Sequence, residues 1–519
     1  MDKASQTKLE KVTKGATSIT LAVFISRILG LVREQVLAYF FGAGKAMDAF
    51  VVGYRIPNLL RDLFAEGALA GAFTKVFTAT SEREGIKPAL FKGAQILSNW
   101  LLILLIIVML GVIFSPEIVA LIARAFLEDQ EKYYLTVNLT RLMMPFLLFI
   151  SLSAIFAGLL NSLGVFFWPA FSSGLFNLVS IVIGVVGYYL LVFQGYEPIF
   201  AMALGVTIGG LLQALMQYPL LRRRGFRMVF KPDFTLPEFK EVFLLLLPVV
   251  FGFSAVQINI FLNTFFATSC GEGAVSWYSY AFRVMYVPLG LFGVGLGQAL
   301  LPELTRTLTQ KNYPQAKELF TRSLVVSLSV SLPSALGLYL LAGPTIELLF
   351  ERGNFTSLDT YRTAEILKIL SIALPFYGIS KVAIPLFYAM NSTAIPALGS
   401  FISVCANLGI ILLTIEKWNI LGVAAGITGS IVLQALFLVC MSSHRLSGLT
   451  WQKFVRPLFT LFFAGIVLLV VVKSLMLWLE SPWALLIVIP SGAFLYILVC
   501  RILGPPETYM FYKKLLPFL

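Results

Sequence analysis

Apolar residues fall in long blocks along this chain instead of alternating with polar ones. Runs such as 100–114, 243–253, 458–472 and 484–499 recur over the whole length. Each lies in a stretch that can reach the roughly 20 residues a helix needs to cross about 30 Å of hydrocarbon. Hydropathy places about fourteen spans, at 16–41, 48–79, 91–114, 138–161, 168–193, 199–221, 238–268, 276–304, 319–342, 364–390, 394–415, 420–442, 454–478 and 484–503. The expected fold is an all-α polytopic membrane protein.

Composition agrees. Of 519 residues, 58% are hydrophobic and only 13% charged, with mean hydropathy +0.88. A soluble domain carries about 25% charged residues, so that class is excluded. The stretch from Met1 to Lys11 is polar and longer than the basic start of a signal peptide, and no small-residue cleavage site follows the first apolar run, so no segment is expected to be removed. Cys270, Cys405, Cys440 and Cys500 are scattered without CxxC spacing and read as packing thiols. His444, the only histidine, stands beside Arg445 at a helix end, which argues against a histidine-based metal or catalytic centre. No cofactor or metal is expected.

The net charge of +13 is distributed by loop. With the N-terminus inside, the even connections hold Arg83, Lys87 and Lys92, then Arg222, Arg223, Arg224, Arg227, Lys231 and Lys240, then Arg306, Lys311 and Lys317, then Arg445, Lys453 and Arg456. The odd connections are acidic, with Glu117, Glu128, Asp129, Glu131, Glu197, Glu272, Glu347, Glu351, Asp359, Glu416 and Glu480. Cytoplasmic loops collect lysine and arginine, so both termini are expected in the cytoplasm and the basic loops against anionic lipid, not nucleic acid.

The chain also repeats itself. Phe64-Ala65-Glu66-Gly67-Ala68-Leu69 aligns with Phe292-Gly293-Val294-Gly295-Leu296-Gly297, and the same offset pairs Ser26 with Ser254 and Arg55 with Arg283. Further on, Pro145-Phe146 matches Pro375-Phe376, Asn161-Ser162 matches Asn391-Ser392 and Asn177 matches Asn407. Gly205-Val206-Thr207 and Gln213-Ala214-Leu215 match Gly426-Ile427-Thr428 and Gln434-Ala435-Leu436. Spans 1–6 thus resemble spans 7–12, and an even number of spans per repeat makes the two parallel, the plan of transporters that rock one half against the other. The expected organisation is an N-terminal six-helix lobe at 1–230, a second at 231–450, and two extra helices within 451–519.

Charges inside the spans are costly, by about 3 kcal/mol or more at mid-bilayer, and so mark candidate sites. Span 1 holds Arg27, Arg33 and Glu34; span 2 holds Asp48, Arg55, Arg61, Asp62 and Glu66. At 100° per residue, Asp48, Arg55, Asp62 and Glu66 form one polar stripe, which Pro57 is expected to bend. Counting from the outer ends, Arg33, Arg55 and, in span 8, Arg283 lie roughly 10–13 Å deep, and Arg27 and Arg61 about 20 Å deep. Forked guanidinium donors at two depths suit an anionic ligand with several oxygens, such as a phosphate. Ion pairing of Arg27 with Glu34 or of Arg61 with Glu66 is the structural alternative. Gln257, Asn259, Asn263 and Gln298 either line an opposite wall or join helices by hydrogen bonds. Lys381 and Lys473 are lone charges whose role stays open.

Ser26-Arg27-Ile28-Leu29-Gly30-Leu31-Val32-Arg33-Glu34, Phe41-Gly42-Ala43-Gly44, Asp48-Ala49-Phe50, Arg55-Ile56-Pro57-Asn58-Leu59-Leu60-Arg61, Phe64-Ala65-Glu66-Gly67-Ala68 and Val275-Ser276-Trp277-Tyr278 with Arg283 resemble the MurJ (MviN) family of lipid II flippases. These belong to the multidrug/oligosaccharidyl-lipid/polysaccharide exporter superfamily. The resemblance implies two six-helix lobes in a V, with a cationic central cavity for the diphosphate and sugar-pentapeptide head of the undecaprenyl-linked peptidoglycan precursor. The tail would lie in lipid along a groove made by the two extra helices. Arg27, Arg33, Arg61 and Arg283 map onto the family's arginines, and Asp48 onto an acidic position. Glu34 stands where the family often has aspartate, and Phe282 where some relatives carry an acid, so an ion or proton role there does not carry over.

The resemblance further implies a transporter, not an enzyme, in the bacterial inner membrane, driven by membrane potential or an ion gradient. Its partners would be the lipid-linked precursor, membrane lipids and cell-wall synthesis proteins, with no nucleic acid. The competing readings are a flippase for O-antigen-type lipid-linked glycans and a drug exporter of the same superfamily, although the basic cavity argues against cationic drugs.

Overall fold

Helix after helix is what the apolar blocks form. The structure, a computed structural model, describes residues 3–64, 68–290, 294–446, 448, 451–478 and 481–503, and no strand occurs among them. Two compact units divide the chain, Met1–Gln257 and Ile258–Leu519.

In the first unit the helices are α1 (Lys3–Phe41), α2 (Lys45–Phe64), α3 (Ala68–Glu84), α4 (Ile86–Ile113), α5 (Ser115–Ile122), α6 (Gln130–Met143), α7 (Phe146–Ser162), α8 (Phe167–Phe193) and α9 (Ile199–Arg223). The next helix, α10 (Pro237–Thr268), runs from the first unit into the second. There follow α11 (Ala274–Pro288), α12 (Val294–Thr309), α13 (Tyr313–Leu340), α14 (Ala342–Phe350), α15 (Ser357–Ser371), α16 (Leu374–Ala389), α17 (Ala394–Trp418), α18 (Ile420–Arg445), α19 (Trp451–Trp478) and α20 (Leu485–Leu503).

Local chemistry sets several of the helix ends. Gly42, at a φ of 57°, turns the chain from α1 to α2 in the left-handed region that glycine adopts at little cost. Asp129 caps α6 by accepting from the Lys132 backbone N–H. Thr356 and Asp359 form a reciprocal capping box on α15.

Among the described residues the expected spans fall on helix, but they are not alike. Nine helices among the described residues are long and apolar enough to cross a membrane, or up to ten if the bent pair Ser357–Ser371 and Leu374–Ala389 is one span. These are expected spans 3–6 and 9–14. Spans 1, 2, 7 and 8 fall on α1, on α2 with α3, on α10, and on α11 with α12. Of these, α1, α2 and α11 carry the candidate arginines and most of the candidate acids.

The internal repeat returns as packing. In the first unit α2 packs on α6, α3 on α4 and α7, α7 on α9, and α8 on α9; in the second, α11 packs on α15, α12 on α13 and α16, α16 on α18, and α17 on α18. The α8–α9 and α17–α18 contacts use repeat-related glycines. A Cβ on Gly205 would lie 2.8 Å from the Ser180 carbonyl oxygen, and one on Gly426 would lie 3.1 Å from that of Asn407. Backbone cannot move aside as a side chain can, so close helix approach requires glycine at both positions. Asn177 reaches back from α8 to the Ser26 carbonyl on α1 at 3.2 Å, and its counterpart Asn407 reaches from α17 to Asn259 and Asn263 on α10.

The two helices beyond the repeat pack on each other and on α13. Their core joins Leu461, Ala464, Leu468 and Val472 to Leu485, Val488 and Tyr496.

Candidate functional site

Two arginine–carboxylate pairs stand on the first two helices, each between sequence neighbours. On α1, Arg33 Nη2 donates to Glu34 Oε1 at 3.0 Å, with side chains 12% and 5% exposed. The Arg33 guanidinium also lies 5.3 Å from the centre of the Phe176 ring on α8, a cation–π contact that holds the fork in place. Its Nε is buried without a hydrogen-bond partner among the described residues. On α2, Arg61 donates to Asp62 Oδ1 from Nε at 3.2 Å and Nη2 at 2.9 Å, and Gln257 Nε2 donates to the other Asp62 oxygen at 3.4 Å. Arg61 is within electrostatic reach of Arg33.

A bond between adjacent residues needs no tertiary partner to form, and Asp62 is in addition tied to α10 through Gln257. Two nearby guanidinium groups are thus held by counter-ions that a more highly charged anion can displace.

Asp48 sits in another kind of environment. It is fully buried near the start of α2 and accepts from Lys132 Nζ on α6 at 2.8 Å, while that ammonium lies 4.2 Å from the Phe126 ring centre. Outside this pair, half-buried Lys45 bridges Asp129 at 2.8 Å and Glu131 at 2.7 Å. The Lys45 ammonium and then the Lys132 backbone N–H hold the Asp129 carboxyl below its ordinary range. The sequence places Asp48 in one stripe with Arg55 and Asp62; the structure joins it to α6 through an ion pair.

The remaining candidates are spread more widely. Arg55 is half-buried on α2, and Arg27 is exposed on α1. Arg283 is half-buried on α11, in the second unit. Glu66, and with it the alternative pairing to Arg61, lies outside the described residues. Of the polar residues in spans 7 and 8, Gln257 joins the Arg61–Asp62 pair, whereas Asn259 and Asn263 bind Asn407 across helices; Gln298 is exposed. Lys381 is half-buried and Lys473 exposed.

Sequence reasoning did not find Lys132 or Phe176. A lysine embedded among Glu128, Asp129 and Glu131 was the available sign for the first. Nothing marks Phe176 among the chain's 45 phenylalanines.

Comparison with known proteins gives the family of the chain. The family model described as lipid II flippase MurJ matches residues 37–491. The chain belongs to the MurJ family. A protein of Bdellovibrio bacteriovorus described as a probable lipid II flippase MurJ is 31% identical over 458 residues, covering 88% of this chain and 87% of its own. A lipid II flippase MurJ of Burkholderia cenocepacia is 35% identical over 379 residues, with 72% of each chain covered. Among solved structures, a lipid II flippase MurJ in an inward closed conformation superposes with a TM-score of 0.77 at 26% identity, covering 96% of this chain and 99% of the other. An inward-facing multidrug resistance transporter of the MOP superfamily shares the fold at 15% identity, TM-score 0.68. In this MurJ-family chain, the model's match takes in α2, with Asp48, Arg55, Arg61 and Asp62, and α11, with Arg283.

Proposed function

We propose that this chain is a flippase that carries lipid II, the undecaprenyl-diphosphate-linked peptidoglycan precursor, from the cytoplasmic to the outer face of the bacterial inner membrane for cell-wall synthesis. The observation that carries this reading is the pair of arginines, Arg33 and Arg61, within electrostatic reach of each other in a member of the MurJ family, each bonded to the carboxylate next to it in sequence.

A lipid-linked diphosphate cannot cross hydrocarbon with its hydration stripped and unreplaced. Here the substrate diphosphate displaces Glu34 and Asp62 and takes the forked donors of Arg33 and Arg61, with Arg27, Arg55 and Arg283 as further ligands. The released carboxylates, with Glu66, re-pair with their arginines once the head group leaves, which resets the site. Asp48 supports the site from its buried pair with Lys132. Alternating access of the two repeats, with both termini cytoplasmic, moves the site from one face to the other. The membrane potential or an ion gradient supplies the drive, and cell-wall synthesis proteins take up the product.

Depletion in growing cells tests this reading. Lipid II accumulates on the cytoplasmic face if it is right; undiminished arrival on the outer face in a cell lacking any redundant flippase contradicts it.

A further inference from the structure

The second unit contains an aromatic and polar cluster that the arginine chemistry does not use. Along one face of α11, Tyr278, Phe282 and Tyr286 recur every four residues, with ring centres 5.8 and 5.7 Å apart, the second pair stacked at 29°. Exposure increases along this face, from 5% at Tyr278 through half-buried Phe282 to 44% at Tyr286. Tyr377 on α16 lies within electrostatic reach of both Tyr278 and Tyr286. One turn further along α16 stands half-buried Lys381. Among the described residues, neither the Tyr377 hydroxyl nor the Lys381 ammonium has a hydrogen-bond or ion-pair partner.

A lysine without a counter-ion within an apolar helix is costly against lipid or dry core, and is tolerated where it faces water or a ligand. Aromatic faces beside it offer a flat surface with π density. Together they match one ligand chemistry: a pyranose ring, whose C–H face lies on aromatic rings while its oxygen substituents accept hydrogen bonds at the edge. A phosphate needs no such platform, and a simple hydrocarbon tail needs no unpaired donors.

We propose that Phe282 and Tyr286 form a stacking platform, and Tyr377 and Lys381 its hydrogen-bonding edge, for the saccharide part of the substrate head group. This rests on the lipid II reading and deepens it, separating recognition of the sugar from recognition of the diphosphate.

The test compares two probes bound to the full-length protein in nanodiscs: lipid II, and undecaprenyl diphosphate without sugar. Phe282→Leu and Tyr286→Leu keep an apolar side chain but remove the ring, and each is expected to weaken lipid II binding by roughly tenfold, the scale of one lost aromatic contact. Binding of undecaprenyl diphosphate stays as in the wild type, and Phe282→Trp retains lipid II binding. Equal losses for both probes, or no loss for either, overturn the proposal. Failure of the wild-type protein to bind lipid II more tightly than the sugar-free lipid overturns it too; failure to bind either probe contradicts the flippase reading itself.

Discussion

Arg33→Gln and Arg61→Gln are each expected to lower lipid II flipping by roughly 10- to 150-fold, because a hydrogen bond to a charged partner contributes about 1.5–3 kcal/mol. The double variant is expected to fall to the background of protein-free vesicles. Each single change also leaves a carboxylate, Glu34 or Asp62, beside a neutral side chain, and for Glu34, at 5% exposure, this is costly by itself. The control is therefore Arg33→Gln with Glu34→Gln, which removes both charges. It should melt close to the wild type and still fail to flip. Recovery of flipping in that variant would mean that Arg33 serves only to neutralise Glu34. Arg61→Lys is expected to be intermediate, since it keeps the charge and loses the fork.

Asp48→Asn should destabilise the protein by about 3–5 kcal/mol, the cost of leaving a buried ammonium without its partner. Lys132→Met should cost a similar amount by leaving the carboxylate. Thermal unfolding in detergent measures both, and Asp48→Leu with Lys132→Met should recover most of the loss, since an apolar pair of similar volume replaces a buried ion pair well. Flipping distinguishes a mere brace from a working part: a stable double variant that still flips assigns Asp48 to holding α2 against α6, and one that does not assigns it to the transport cycle. A double variant as unstable as the singles would contradict the ion pair as the source of the effect.

How much of this could be read in advance depended on the range of the interaction concerned. Apolar blocks, glycine registers and buried arginines are local in sequence, and among the described residues the expected spans fell on helix. Asn177 and Asn407, which the offset matched, each reach back to the first helix of their repeat, one to a backbone carbonyl and the other to two side-chain amides. The helix-by-helix packing repeated as the registers implied. What stayed hidden depended on partners far along the chain. Lys132 is 84 residues from Asp48, and Phe176 reaches Arg33 only because α8 packs on α1. The heptad spacing drew attention to Arg27 with Glu34, yet Arg33, the adjacent residue, makes the 3.0 Å bond to Glu34. Spacing along a helix shows which side chains can meet and leaves the choice among several candidates to rotamers and neighbouring helices.

The unequal spans carry the same lesson. By length and composition α8 is a plainly apolar span, whereas α1 carries Arg27, Arg33 and Glu34 within its apolar stretch. Cost explains the separation. A charge is retained in an apolar helix only where a partner or ligand stabilises it, and here such charges concentrate on α1, α2 and α11, with Lys381 on α16.

The central claim is that this chain moves a lipid-linked diphosphate across a bilayer. Purified wild-type protein reconstituted into vesicles holding lipid II in one leaflet, with a membrane-impermeant probe reporting its arrival in the other, tests this most directly. The account predicts rapid exposure to the probe with the wild-type protein and slow, protein-free rates with the Arg33→Gln, Arg61→Gln double variant. Equal rates for wild-type, double-variant and protein-free vesicles would contradict it.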